Sequence, residues 1–252
     1  MSLIQITSDG PVRTITLNRA VKHNALNTAM MEMLKAAFEV EPPATERVTV
    51  IRGEGRSFCS GLELSSTEGV PNSEAQRIET MFDCIQRYPL PVVALVQGRA
   101  IAGGCELALH CDFIVAEREA AFAMPLAQIG VSTTWFLTKK IVEAAGAHLC
   151  REFLLLGEPI GAERLHALGI VARLAEPGEL TQAAAPLINR LAENAPLSLR
   201  SMKRLLVEMN DHMMATDYEA LDRAALDTYD SADSKEGIAA RLAKRQPRFE
   251  GR

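Results

Sequence analysis

The sequence predicts an α/β fold: strands and helices alternate through its first half, and helices fill most of the second. Short β-branched apolar runs end in glycine-containing loops, and stretches of helical period lie between them. No repeat, low-complexity tract or shift of composition marks a linker. At 252 residues the chain is read as one structural unit, with a core over 1–195 and a helical region over 196–252.

The first expected strand is 12–18, where apolar and polar residues alternate. A helix follows over 28–40, with Thr28 as its N-cap and Pro42-Pro43 as its stop. Residues 48–51 read as a buried strand, 53–65 as a glycine-punctuated loop, 73–87 as a helix and 91–96 as a second buried strand. After Gly98 the chain turns through Ala102, Gly103 and Gly104 into a short helix, then into a strand at 112–116. Helices are expected at 133–145, 147–156 and 161–168, separated by Gly146 and by Gly157 to Pro159. A strand at 170–174 precedes helices near 178–193, 197–214, 216–229 and 233–245. Such a helical tail must bury its apolar stripe, and a partner subunit is one place to do so.

Composition narrows the function classes. The chain is 48% hydrophobic and 23% charged, with 27 Lys and Arg against 32 Asp and Glu for a net charge of −5. That balance carries no strong basic footprint for nucleic acid or an anionic membrane. Apolar runs such as Val92 to Val96 fall far short of the ~20 residues that span a bilayer. The opening residues lack the basic and apolar regions of a secretory signal, so a cytoplasmic protein is expected. The five cysteines are odd in number, widely spaced and without a CxxC pair, which argues for reduced thiols over disulfides or a zinc cage. Cys59 stands apart because it lies in a glycine-bearing loop.

Several catalytic patterns are absent. Gly53-Glu-Gly55 lacks the third glycine of a dinucleotide fingerprint, since Phe58 stands there. Ser57 and Ser60 lack the flanking glycines of a nucleophile elbow, and the histidines form no HExxH motif. Two loops make sense together: Phe58 to Leu64, and Gly98 to Glu106. Glycines in the second let a ligand approach the backbone where first-turn amides are unpaired, and such amides stabilise charge developing on a carbonyl oxygen. Glu106 lies about one turn further, near an atom adjacent to that carbonyl. The alternative is that the glycines serve a tight turn and Glu106 complements the helix dipole.

On these residues the chain resembles the enoyl-CoA hydratase/isomerase (crotonase) superfamily over nearly its full length. The resemblance is carried by Ile15–Arg19 with Asn24–Leu26, by the loop 58–64, by the segment 91–112, by 153–171 and by the tail 244–249. It implies a spiral of ββα units with a C-terminal helical oligomerisation layer. It also implies a homotrimer or dimer of trimers, and an acyl-CoA thioester as substrate. Coenzyme A would arrive with the substrate, with no metal or separate cofactor. By motif position the oxyanion donors would be the amides of Leu62, after Gly61, and Gly103, before Gly104. The backbone at Ser60, Leu62 and Leu64 matches an adenine-binding segment, Lys22 and His23 match positions near the CoA phosphates, and Lys244 and Phe249 lie in a tail that often reaches a neighbour's CoA.

The pattern departs from the family at several places. Family hydratases hold water between two glutamates; Glu106 matches the first, but Leu126 follows Pro125 where the second belongs. Thr133, Thr134, Trp135 and Phe136 replace a small-residue stretch, so Trp135 and Phe136 either reshape an acyl pocket or sit in the core. Glu63 reads as a structural or rim group. Hydration of a 2-enoyl-CoA by Glu106, with Thr133 or Thr134 helping to hold water, is the leading expectation. Isomerisation, decarboxylation, thioester hydrolysis and non-catalytic acyl-CoA binding are the alternatives.

Overall fold

The computed structural model describes residues 2–64, 72–213 and 219–251. Its main sheet has six strands in the order β1(Ile4–Asp9), β2(Val12–Leu17), β3(Val48–Gly53), β4(Val92–Val96), β6(Phe113–Glu117), β9(Arg173–Ala175). β1 and β2 form an antiparallel hairpin turned at Gly10, whose φ of 53° suits glycine; the remaining neighbours run parallel. A small second sheet pairs β5(Arg99–Ile101), β7(Ala121–Ala123) and β8(Ile160–Gly161).

Side-chain alternation gives each face of the main sheet its own core. Val48, Val50, Val93, Leu95 and Val115 pack with Leu180, Ala184, Ile188 and Leu191 of α6(Leu180–Glu193). Ile15, Leu17, Ile51, Ala94 and Val96 face the other way. There they meet α1(Thr28–Phe38), α2(Asn72–Arg87), α3(Gly103–Leu109) and α4(Trp135–Arg151), as an α/β spiral requires. The helical region continues with α5(Ala162–Ala167), α7(Pro196–Met213), α8(Glu219–Asp227) and α9(Ala232–Leu242).

Several expectations are corrected. Asn27, not Thr28, caps α1: its side chain accepts the Met30 amide at 3.0 Å. The strand expected at 170–174 lies at Arg173–Ala175, because the Ile170 amide instead caps α5 on the Leu165 carbonyl. Gly146 breaks α4 as expected (φ 70°, ψ 164°), but a π-helical turn, Glu152–Leu156, replaces the end of the next helix. The helix expected at 216–229 is α8 followed by the 3₁₀ turn Thr228–Asp230; its first residues, 216–218, fall outside the described ones.

Candidate active site

The loop 58–64 is stitched to two neighbours. On one side Leu26 donates to the Gly61 carbonyl at 2.8 Å, and Glu63 donates to the Leu26 carbonyl at 2.9 Å. On the other, Cys59 bridges to Ala100, its carbonyl accepting the Ile101 amide at 3.0 Å. Successive groups of an extended strand point to opposite edges. Since Gly61 C=O and Glu63 N–H both face Leu26, the Leu62 N–H points away from Leu26, and it has no acceptor among the described residues.

The start of α3 meets this loop at backbone distance. A Cβ on Gly61 (φ 84°) would lie 2.7 Å from the Ile101 carbonyl oxygen and 3.0 Å from the Gly103 nitrogen. A Cβ on Gly104 would fall 2.1 Å from the Cys59 carbonyl oxygen, so glycine is required at both positions. Ala102 turns the chain between β5 and α3 at φ 49°, ψ −117°, a strained conformation for a residue with a Cβ. Its own amide bonds to the Ala123 carbonyl at 2.8 Å, while the Gly103 amide has no acceptor among the described residues. Buried Asn24 fixes the adjoining turn, with Oδ1 accepting from the Arg19 amide and Nδ2 donating to the Glu54 and Ser57 carbonyls.

A cavity of about 100 Å³ opens at this junction. Ser60, Leu62, Leu64, Gly103, Glu106 and Leu126 line it, with an otherwise apolar wall that includes Ile78, Phe82, Ile129 and Leu137. Glu106 is 1% exposed, and neither carboxylate oxygen has a hydrogen-bond partner. Burial drives its pKa well above the usual carboxylate range; the Lys140 ammonium pulls it down and the Glu79 carboxylate pushes it up. The Lys140 contribution is limited, because its ammonium pairs with Glu143 at 2.8 Å. His110, stacked between Phe82 and Phe136, does not form an ion pair with Glu106. Its Nδ1 lies 2.8 Å from the Glu106 backbone carbonyl but 3.5 Å from the carboxylate, and burial keeps the ring neutral.

Other residues singled out in the sequence are placed as follows. His23 and Ser60 line a second cavity, about 580 Å³, with Arg56, Arg99 and Arg241. Ser60, Ile101 and Arg241 border both cavities. Lys22 is exposed and lies 3.7 Å from Glu63, which also accepts from Arg19 at 2.8 Å, so Glu63 ties the rim together. Thr134 donates its hydroxyl to Glu79, and Trp135, at the start of α4, donates its amide to Asp222 at 2.6 Å. Neither Thr134 nor Trp135 lines the Glu106 cavity. Phe249 lines a third cavity with Arg241 and Arg245, while Lys244 is exposed in the tail. Cys59 is structural: it is buried, its thiol donates to the Asn24 carbonyl at 3.2 Å, and burial pushes its pKa up to about 12.

Sequence reading missed Arg56, Arg99 and Arg241, and also Glu79 and Tyr229. Arg56 and Arg99 directly follow the turn glycines Gly55 and Gly98. Glu79 interrupts the apolar stripe Ala75, Ile78, Phe82 of α2, and that interruption was the available signal.

Comparison with known proteins gives a consistent result. The profile of the family "Enoyl-CoA hydratase/isomerase" matches residues 7–252. The chain is 32% identical to the 2,3-dehydroadipyl-CoA hydratase of Escherichia coli (strain K12), over an alignment covering both chains in full. It is 25% identical to the short-chain-enoyl-CoA hydratase of Clostridium acetobutylicum, across 96% of this chain and 95% of that one. Among solved structures, methylmalonyl-CoA decarboxylase in complex with 2-nitronate-propionyl-CoA superposes with a TM-score of 0.91 at 25% identity, over 100% of this chain and 99% of that one.

Proposed function

Because the chain is an acyl-CoA-processing enzyme belonging to the enoyl-CoA hydratase/isomerase family, we propose that its reaction is the addition of water to a 2-enoyl-CoA. The observation that carries this reading is the pair of unclaimed amides, Leu62 and Gly103, on touching loops one turn before an unpaired buried carboxyl. With the thioester oxygen on both amides, negative charge moving onto that oxygen is stabilised, at ~10²–10³ in rate for each donor.

A neutral Glu106 can then serve both sides of the double bond. One carboxyl oxygen accepts a proton from water as the water oxygen bonds to C3. The C2–C3 π electrons move toward the thioester, and the other carboxyl oxygen delivers its proton to C2. Glu106 ends neutral, as it began, so the cycle needs no second carboxylate at Leu126. Glu106→Gln removes the acid and is expected to lower crotonyl-CoA hydration ~10²–10⁴-fold; unchanged turnover overturns this reading.

One observation favours a second reaction: the high structural similarity to a methylmalonyl-CoA decarboxylase, combined with the apolar wall at Leu126, Ile129 and Val131. A substrate carboxylate against that wall would be desolvated and would leave as CO₂, its bonding pair passing into the enolate, which Glu106 protonates at C2. Mass spectrometry separates the two on an acyl-CoA panel: a gain of water, or a loss of CO₂.

Coenzyme A would enter as part of the substrate, with no separate cofactor. Its phosphates have cationic partners in Arg56, Arg99 and Arg241, in the cavity that adjoins the acyl cavity through Ser60 and Ile101. A homotrimer, alone or paired, would cover the exposed stripe Met202, Leu205, Leu206 and Met209 of α7. Light scattering coupled to size exclusion tests this; a monomer at micromolar concentration refutes it.

A further inference from the structure

The cavity beside Glu106 is apolar over most of its wall, yet one polar side chain in that wall is unused. Tyr229, on the 3₁₀ turn before α9, is 5% exposed and lines the cavity. Its hydroxyl makes no hydrogen bond to a described residue, and its oxygen is not among the fully buried unpaired atoms, so it reaches accessible space. The ring packs in a cluster with Ala75, Ile129, Val131 and Ile238, all apolar. A phenol that lines a binding cavity, with its oxygen accessible and unclaimed by the protein, is available to a ligand.

We propose that Tyr229 is a specificity-determining residue, selecting acyl-CoA substrates whose acyl group carries an uncharged hydrogen-bonding group such as a hydroxyl. This rests on the acyl-CoA reading of the cavity and deepens it by naming the substrate class. Burial raises the phenol's pKa to about 12, so it stays a donor and acceptor through the neutral range. The carboxylate acting on it is Glu79, which hydrogen-bonds Thr134 and is itself pushed toward its neutral form by burial and by Asp222. A neutral phenol is at once donor and acceptor, which matches a hydroxyl on the acyl chain.

The test compares wild type with Tyr229→Phe, a change that removes only an oxygen bonded to nothing in the protein. The probes are hex-2-enoyl-CoA, 6-hydroxyhex-2-enoyl-CoA and the corresponding ω-carboxyl compound, with the octenoyl and decenoyl homologues to scan hydroxyl position. Each is followed by kcat/KM, and by competition against crotonyl-CoA where turnover is slow. Wild type is expected to favour a hydroxyl compound over its unsubstituted parent by about tenfold or more, and Tyr229→Phe to abolish that ratio. A ratio near one in wild type, a ratio unchanged by Tyr229→Phe, or a preference for the ω-carboxyl compound overturns the proposal. If neither protein binds or converts any member of the series, crotonyl-CoA included, the acyl-CoA reading itself falls.

Discussion

Replacing Glu106 with Gln should make the protein more stable at neutral pH, by an amount that grows with pH. In the folded chain both carboxylate oxygens are buried without a partner, and burial holds the group protonated well above its ordinary value. In the unfolded chain it ionises near the usual 4.5. Below that value the carboxyl is neutral in both states and costs nothing. Above it, unfolding releases a proton, so stability is lost with rising pH until the folded-state value is reached. The slope is ~1.4 kcal/mol per pH unit over the interval between the two values. For a chain of this length each kcal/mol moves Tm by roughly 2–4 °C. Glutamine cannot ionise, so the variant lacks that slope. Glu79 also titrates upward, but Glu106 is neutral in the folded wild type, and contributions common to both proteins cancel in the difference. Urea unfolding of both proteins at pH 5, 6, 7 and 8, at one protein concentration, measures it. Parallel stability profiles across that range would show that Glu106 ionises normally, and the neutral-acid mechanism would fail with it.

Three further outcomes follow from the geometry. Gly104→Ala drives a methyl group to 2.1 Å from the Cys59 carbonyl oxygen, so a destabilisation of about 3 kcal/mol is expected in thermal or urea unfolding; a loss below 1 kcal/mol would mean that the two loops are not in contact. Arg241→Ala should raise KM for an acyl-CoA about tenfold or more while leaving that of the matching acyl-pantetheine, which lacks the nucleotide, unchanged; equal effects on both would remove Arg241 from the phosphate site. Cys59, buried and with its pKa raised to about 12, should resist iodoacetamide at pH 8 in the native protein and react in urea, as mapped by peptide mass spectrometry.

What the sequence made legible was the part of the molecule governed by local chemistry. The parallel strands β3 and β4 are continuous apolar runs, and a residue without a side chain is needed where Gly61 and Gly104 meet other backbone. Pairs of residues far apart were not legible. β5, β7 and β8 have two or three residues each, too short to show alternation, and exist because they pair with one another. Asn27 and Thr28 both have capping side chains, and only the backbone conformation decides between them. Thr134 looked available for water and is occupied by Glu79, more than fifty positions away in sequence. Arg241 and Tyr229 were passed over as ordinary helical residues, because nothing local marks a helix that closes over a distant pocket.

That helix has its own consequence. α9 lies directly on the turn Ala127–Ile129: a Cβ on Gly237 would come within 2.6 Å of Ile129 backbone atoms, and one on Gly130 within 2.6 Å of Asp233. Arg241, near the end of α9, borders all three cavities. The ribosome therefore completes every strand of the main sheet before it makes the residues that finish the pocket walls. A nascent chain, or one clipped by a protease ahead of α9, keeps the amides and the carboxyl but lacks part of the wall around a thioester, so catalytic competence waits on a helix made well after the sheet.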